Sequence, residues 1–408
     1  MPQPTKPDFA RQIIDFGLEP ADFAELPLEA AVAPLVDLGL PWPAGEAPVP
    51  QPWADGALPS PDDPLPRGDV LVITWTVAEH EALADVLTPG YSRNTWARYA
   101  RRFDDHYKPQ IRARAPALNV RRLGSYFRTE IAGKKLVCFK SELHLNQDGV
   151  RTGPGKATLP VKDLFHQLID EVQPSLVITV GTAGANFPPK QTTMVDGFEC
   201  SPCELGDVMI TRGAKFRLSR EFAQEPFAHA SYRCESFQIP QARLDKARNL
   251  LAVHAGKLRE PAFGPPHTGY NWPLPGTLPG FENTPDFKFD GVDFPEFHPI
   301  LTTDFFEFGT SDNGLWNEGC GVEMGDAVLG LAIEERRANG RSTPDWLVVR
   351  NASDTQINGK LPDRGAPHIE PSMRRGLDMQ AHWAVWYYET YGYWTSVSSA
   401  IAVWAMVA

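Results

Sequence analysis

The stretch SLVITVGTAGANFP, residues 175–188, decides the fold of this chain. Its apolar run at residues 176–180 is typical of a buried β-strand. The run leads into residues 181–184, which are all small, so another group can approach the backbone closely there. We therefore predict a strand that ends at Val180, followed by a turn at the carboxyl edge of a sheet, where α/β proteins bind their ligands.

Segments on both sides of this strand alternate between strand and helix periodicities. Runs of β-forming residues predict four further strands, at residues 69–76, 134–140, 206–216 and 345–353. Helical spacing of apolar residues predicts four helices, at residues 77–87, 160–172, 325–338 and 379–407. Strands that alternate with helices are typical of a sheet with helices on both faces, so the chain is predicted to be an α/β protein.

The composition argues against several classes of protein. Of the 408 residues, 42% are apolar, which is enough for one large core or two modest ones. The net charge of −12 argues against a general binder of nucleic acid or of anionic membranes. No run of 18 apolar residues and no signal-peptide stretch occurs, so we expect a cytoplasmic protein. The five cysteines do not form a disulfide pattern, and the single pair Cys200 and Cys203 is a weak signal for a metal.

Composition also divides the chain into an extension and a main domain. Residues 1–66 are rich in proline and alanine, which predicts extended chain wrapped on a surface, or a mobile arm. Residues 67–408 form the predicted domain. Two insertions interrupt it, at about residues 90–130, rich in arginine, and 261–299, rich in proline, glycine and aromatic residues. A loop as long as the second is usually a lid or an interface arm.

Four separated motifs occur in the order that one enzyme superfamily has them. They are VLVITWTVAEHEAL, LVITVGTAGAN, ELGDVMI and GVEMGDAVLGLAI followed by WLVVRNASD. The set resembles the nucleoside phosphorylase and nucleosidase superfamily, which includes purine nucleoside phosphorylase, uridine phosphorylase and methylthioadenosine/S-adenosylhomocysteine nucleosidase. The resemblance implies the phosphorylase-type three-layer fold, with a central mixed twisted sheet flanked by helices. It further implies a homo-oligomer and chemistry that needs neither a metal nor a cofactor.

The resemblance also implies the residues that cleave an N-glycosidic bond. Asp354 stands at the family's general-acid position, where it would protonate the leaving purine. Glu79 stands where the nucleosidases carry the carboxylate that activates water. Gly181 and Thr182 belong to the segment that lines the pocket where ribose and nucleophile meet, and backbone amides and the Thr182 hydroxyl would reach an anion or a water there.

Sugar and base contacts follow from the same comparison. Glu323 matches the glutamate that binds the ribose hydroxyls, and Met324 would pack against the sugar or base. The family's second glutamate is replaced by Gly325, so either Asp326 takes over its work or the ribose end is altered. Phe306 matches the phenylalanine that stacks on adenine.

The nucleophile and the substrate remain open at this stage. Thr179 stands where many bacterial phosphorylases place a phosphate-binding arginine, which favours water over phosphate. The leading interpretation is a nucleosidase that hydrolyses a purine nucleoside or nucleotide. The alternatives are a phosphate-dependent phosphorylase and a non-catalytic nucleotide sensor or scaffold. Arginines between residues 93 and 128 lead to the hypothesis of a nucleotide substrate such as AMP or ATP, with Arg101 and Arg102 on its phosphates.

Overall fold

The computed structural model describes residues 37–53, 56–113, 115–145, 149–150, 153, 155–255, 284–305, 314–354, 368 and 371–407. Fifteen strands occur in this part of the chain: β1 Val49–Pro50, β2 Val70–Thr74, β3 Ala97–Tyr99, β4 Gly124–Ile131, β5 Lys134–Ser141, β6 Leu176–Ala185, β7 Thr193–Val195, β8 Phe198–Cys200, β9 Val208–Thr211, β10 Gly213–Arg217, β11 Ser231–Arg233, β12 Phe287–Phe289, β13 Ile300–Thr303, β14 Gly321–Glu323 and β15 Asp345–Asp354. The same residues form six α-helices: α1 Val77–Leu87, α2 Pro116–Val120, α3 Pro160–Val172, α4 Gln241–His254, α5 Asp326–Ala338 and α6 Pro371–Met406.

One mixed sheet of thirteen strands organises the described residues. Its main path runs β1-β4-β5-β2-β6-β14-β13-β10-β11. Strand β15 lies parallel to β6 and continues the sheet through β9 to β12, while β3 pairs with β4. Strands β7 and β8 form a separate hairpin. The central strands β5, β2, β6 and β15 are parallel, so their carboxyl ends meet at one edge.

Two hydrophobic clusters lie on opposite faces of this sheet. Leu71 and Ile73 of β2 belong to the cluster that includes the apolar residues of α3 and α5. Val70 and Val72 belong to the cluster that includes α1, α4 and α6. Successive side chains of a strand point to opposite faces, so β2 is covered by helices on both sides. The predicted α/β fold, a mixed sheet flanked by helices, is confirmed.

Most predicted elements form, but two predictions around the strands are wrong. The predicted turn at residues 181–184 is instead strand, because β6 continues to Ala185 and β15 pairs with it as far as Gly184. The predicted strand at residues 206–216 divides at Arg212 into β9 and β10. The two halves have different partners: β9 pairs with β15 and β12, and β10 with β13 and β11.

Strand β6 changes its neighbour along one edge. Strand β2 pairs with it at residues 176–179, and β14 pairs with it at residues 184–185. Because β15 occupies the opposite edge, residues 180–183 face a gap between the end of β2 and the end of β14. A point where the neighbours of a strand change is where open α/β sheets form their binding crevices.

The predicted extension and insertions contribute to the same sheet. The described residues 37–66 follow the domain surface, where β1 pairs with β4 and Trp42 packs against Trp404 of α6. The arginine-rich insertion supplies β3 and the start of β4. The second insertion supplies β12, and its residues 261–283 lie outside the described part of the chain. Every described helix is too short or too polar to span a bilayer.

Candidate active site

Helix α1 begins with a capping box that fixes Glu79 at the end of β2. Thr76 is the N-cap, and its hydroxyl accepts a hydrogen bond from the Glu79 amide at 3.4 Å. In return, Glu79 Oε2 accepts bonds from the backbone N–H groups of Trp75 (3.0 Å) and Thr76 (2.9 Å). The Thr74 hydroxyl donates a third bond to the same oxygen at 2.9 Å. The cap of the helix therefore places a buried carboxylate at the gap beside β6.

The other oxygen of Glu79 reaches across the gap to β6. Oε1 accepts from the backbone N–H of Thr182 at 2.8 Å and from the Thr182 hydroxyl at 2.9 Å. A Cβ at Gly181 would lie 2.5 Å from both this oxygen and Nη1 of Arg350. Only glycine therefore leaves room for the two charged groups, and the anion that binds Thr182 in this structure is the Glu79 carboxylate.

Arg350 of β15 joins the remaining charged side chains. It is buried, and its Nε and Nη2 bond both carboxylate oxygens of Asp326 at 2.8 Å and 2.6 Å. Nη2 also lies 3.3 Å from Oε2 of Glu323, and Nη1 lies 4.0 Å from Oε1 of Glu79. The guanidinium covers the Trp75 ring at 4.9 Å from the ring centre, which is a favourable cation–π arrangement.

The strand period explains why Arg350 and Asn351 serve different faces. Arg350 points to the α5 face, where it meets Asp326 at the start of that helix. Asn351 points the other way, donating to the Gly181 carbonyl at 2.9 Å and to the Ser399 hydroxyl of α6 at 2.6 Å. Together these side chains fix β15 against β6 at the level of the gap.

Glu323 lies at the junction of β14 and α5. Its Oε2 accepts from the Gly325 N–H at 2.5 Å, and its Oε1 accepts from the Asp326 N–H at 3.0 Å. The Thr302 hydroxyl of β13 donates to Oε1 as well. The carboxylate thus satisfies amide groups at the start of α5, which otherwise have no acceptor.

Two of the predicted carboxylates, those of Glu79 and Glu323, differ in their proton affinity. Burial would raise the pKa of Glu79, but the charge of Arg350 and the N–H groups of Thr76, Thr182 and Trp75 outweigh it and lower the pKa. Burial and the charge of Asp326 raise the pKa of Glu323, against the lowering effect of Arg350. Glu79 is therefore held ionised, whereas Glu323 holds a proton more readily than an ordinary glutamate.

Asp354 and Met324 lie at the ends of the two strands that border the site, Asp354 as the last residue of β15 and Met324 directly after β14. The pairing of β15 with β6 is irregular between Ala352 and Asp354. Asp354 is 6% exposed, and its Oδ1 accepts a hydrogen bond from the Ser353 hydroxyl at 3.2 Å. Met324 is half-buried. Asp354 pairs with Gly184 of β6, and Met324 follows the strand whose Val322 pairs with the same glycine from the other edge.

The predicted base-binding segment lies partly outside the described residues. Phe306 is outside them, so its place as the stacking residue stays a prediction. Its neighbour Phe305 is buried, with the Arg220 guanidinium 4.2 Å above its ring. Asp304 organises the turn after β10, because its carboxylate accepts from the N–H groups of Ser219, Arg220 and Phe222 at 2.8–3.2 Å.

Arg350 is the functional residue that the sequence interpretation missed. It connects Glu79, Glu323 and Asp326, which were predicted only one by one. The sequence does contain a signal for this network, because Arg350 lies inside the apolar strand WLVVRNASD. An arginine is almost never fully buried unless it is paired with a carboxylate or another acceptor. Thr179, in contrast, is buried within the sheet beside the Leu347 carbonyl. Within the described ranges, no three His, Cys, Asp or Glu side chains are grouped as a metal site, and the five cysteines are buried free thiols.

No family model and no curated protein matches this chain. Solved structures that it resembles include methylthioadenosine/S-adenosylhomocysteine nucleosidase from Neisseria meningitidis, in complex with methylthio-immucillin-A. It is 13% identical, with 83% of this chain and 98% of that chain covered and a TM-score of 0.38. Futalosine hydrolase of Helicobacter pylori is 9% identical (83% and 96% covered, TM-score 0.38). Methylthioadenosine nucleosidase of Arabidopsis thaliana is 10% identical (84% and 95% covered, TM-score 0.38). These neighbours are members of the superfamily that the sequence motifs resemble.

Proposed function

We propose that this protein hydrolyses the N-glycosidic bond of a purine nucleoside or nucleotide and releases the free base. The observation that carries the proposal is the buried Glu79 carboxylate, held against Thr182 and Arg350 at the gap beside β6. Asp354 ends the neighbouring strand β15 at the same edge of the sheet. A carboxylate for the sugar side and a carboxyl for the leaving base are what this reaction requires.

Each group has a distinct task in the proposed reaction. Departure of the base leaves positive charge on the sugar, and the fixed negative charge of Glu79 stabilises it electrostatically. Asp354 gives a proton to the purine as the bond to the sugar breaks. A water molecule then attacks the anomeric carbon, with its proton directed to Glu79.

Thr182 controls access of that water to Glu79. A carboxylate offers about four acceptor positions, and Glu79 already accepts five hydrogen bonds from the protein. The Thr182 hydroxyl is the donor that can turn away, since Thr182 is half-buried and its backbone N–H keeps the contact with Oε1. We propose that the attacking water replaces this hydroxyl on Oε1.

We assign binding of the sugar hydroxyls to Glu323, the residue that matches the ribose-binding glutamate of the superfamily. Both oxygens of Asp326 bind Arg350, so Asp326 positions the guanidinium. Both oxygens of Glu323 also accept hydrogen bonds from the protein, so we propose that the sugar hydroxyls replace one of these donors. Gly325 carries no carboxylate, and a Cβ there would lie 3.3 Å from the Trp75 ring. The ribose end is thus proposed to differ from that of nucleosidases with two adjacent glutamates, with Met324 packing against the sugar or base.

A base-release assay by chromatography tests the proposal. Adenosine, AMP, ATP, inosine and methylthioadenosine are each incubated with the full chain, with and without phosphate. We expect free base without phosphate, lost in Asp354→Asn and retained in Asp105→Asn, a matched change at an exposed residue. Release that requires phosphate would establish a phosphorylase instead, and release that survives in Asp354→Asn would exclude Asp354 as the acid.

The second candidate function is nucleotide binding without cleavage. Hydrogen-bond donors of the protein already occupy the acceptor positions of Glu79 and both oxygens of Asp326. This favours the second candidate, because carboxylates that are fully bonded within the protein are less available to a reacting water. A sensor of this kind binds a nucleotide tightly in calorimetry and releases no base from it. The same incubation separates the two candidates, because only a nucleosidase generates free purine.

A further inference from the structure

A basic pocket of about 200 Å³ lies beside the proposed active site. A row of cross-strand neighbours connects the proposed active site with this pocket. Thr74 of β2 bonds Glu79 and is paired with Lys140 of β5, and Lys140 is paired with Ser125 of β4. Ser125 is in turn opposite Arg98 of β3. Neighbouring strands are about 4.8 Å apart, so Lys140 and Ser125 lie about 5 and 10 Å from the end of β2.

Cationic side chains outnumber carboxylates around this pocket. Four cations line it: Arg93, Arg98, Arg122 and Lys140. Arg93 pairs with Glu81 at 2.9 Å, while Arg122 and Lys140 share Glu142. Arg98 is exposed, and no carboxylate of the described residues pairs with it. Two carboxylates against four cations leave a net positive charge that an anion would complement.

His80 supplies an unused polar atom at the same place. It follows Glu79 on α1, lines the pocket and is 5% exposed, with its ring edge-on to Trp96 at 4.4 Å. Its Nε2 has no hydrogen-bond partner. Burial and the charges of Lys140, Arg93 and Arg122 hold the pKa of His80 well below its ordinary value. A buried polar atom without a partner is costly, and an anion in the pocket would supply one.

The first turn of α1 adds to the positive field. Val77, the first residue of the helix, lines the pocket, and the positive end of a helix dipole favours a bound anion. Arg101 and Arg102, in contrast, line no part of it. They extend to the surface, where Arg101 lies 3.5 Å from Glu171 and Arg102 lies 3.7 Å from Asp105. Phosphate contacts of Arg101 and Arg102, the hypothesis from the sequence, would thus lie outside this pocket.

We propose that this pocket binds a phosphate group through Arg93, Arg98, Arg122, Lys140 and the His80 ring. Guanidinium groups bind phosphate oxygens in pairs, and a lysine and an imidazole N–H complete such a site. The position next to Glu79 makes the phosphate of a nucleotide substrate its natural occupant. That last assignment rests on the proposed function, whereas binding of phosphate itself does not.

Calorimetry with inorganic pyrophosphate tests the pocket without any turnover. The full chain in a phosphate-free buffer is compared with Arg98→Gln and with Arg102→Gln, which removes the same charge from the same insertion outside the pocket. Loss of one charge-assisted contact should raise the Kd for pyrophosphate about tenfold or more in Arg98→Gln, and Arg102→Gln should match the wild type. The His80 imidazole signal in NMR should report a raised pKa when pyrophosphate binds, because an anion favours the charged ring.

Kinetics with AMP and adenosine then identify the source of the phosphate. A KM that rises in Arg98→Gln for AMP alone assigns the pocket to the substrate's own phosphate. If Arg98→Gln changes the KM for AMP and for adenosine equally, and pyrophosphate binding depends on Arg98, the pocket binds a separate phosphate ligand. Arg98-dependent binding without release of any base supports the pocket and refutes the proposed hydrolysis. The pocket proposal is overturned if pyrophosphate does not bind, or if Arg98→Gln and Arg102→Gln bind it equally well.

Discussion

Replacing Glu79 with glutamine should destabilise the fold as well as affect the proposed reaction. The substitution keeps the shape of the side chain but exchanges one acceptor oxygen for an NH₂ donor. The amide oxygen can occupy the place of Oε2, where three donors converge from Thr74, Trp75 and Thr76. The NH₂ group then faces the Thr182 N–H, which is itself a donor.

The size of the effect follows from the contacts that are lost. The buried N–H of Thr182 loses its acceptor, which costs about 1–3 kcal/mol. Arg350, at 4.0 Å, loses one of its neighbouring negative charges. Removing one partner of a buried charged pair costs about 3–5 kcal/mol, and Arg350 keeps Asp326 and Glu323. We therefore expect the free energy of unfolding to fall by about 3 kcal/mol, at the low end of that range.

Urea denaturation of the two proteins measures this difference, with Glu235→Gln as the control at an exposed position. The control should stay within about 0.5 kcal/mol of the wild type. The lowered pKa of Glu79 adds a pH test. A lowered folded-state pKa gives stability that is present above the unfolded-state pKa and is lost as the pH falls through the folded-state pKa. The wild type should thus lose its advantage over Glu79→Gln in acid, and equal denaturation midpoints at neutral pH would refute the reasoning.

Three further substitutions probe the same framework. Gly181→Ala places a Cβ 2.5 Å from two immobilised charged groups, so it should cost about 1–3 kcal/mol in thermal unfolding. Gly153→Ala is its control, because no atom of the described residues, chain neighbours aside, lies within 4 Å of the added Cβ. Equal losses would contradict the close contact. Asp304→Asn leaves backbone N–H groups of the turn facing an NH₂ group, so it should also lower stability by about 1–3 kcal/mol, with an unchanged melting curve as the contrary result. Burial and a neighbouring charge raise the pKa of Glu323, so stability should fall as the pH rises above the ordinary range of a glutamate. Glu323→Gln should flatten that fall, and a slope as steep as that of the wild type would exclude this origin.

Local patterns in the sequence predict most of the elements that hold the site. The apolar run at residues 70–74 and the helical spacing after it depend only on neighbouring residues, and both β2 and α1 form where they are predicted. Helices α5 and α6 are predicted correctly for the same reason. Such patterns report which residues of a segment face a core, so they fix the type of an element well.

The errors arise where a segment depends on distant partners. The glycine-rich end of β6 is strand because β15, more than 160 residues away, pairs with it through Gly184. No local pattern distinguishes such a strand from a turn. The network around Arg350 was missed likewise, because Asp326 and Glu79 meet it only when α5, α1 and β15 converge.

The gap along β6 has a consequence for how this chain can diverge. Glu79, Thr182 and Arg350 join α1, β6 and β15 in the gap between the end of β2 and the end of β14. Natural selection for a folded protein alone would preserve these residues, whether or not any substrate is turned over. A related chain without the proposed activity would therefore still carry them, and their presence in its sequence would indicate an intact fold. Asp354, the last residue of β15, is the acid of the proposed reaction, so its replacement in a related sequence would indicate loss of that reaction.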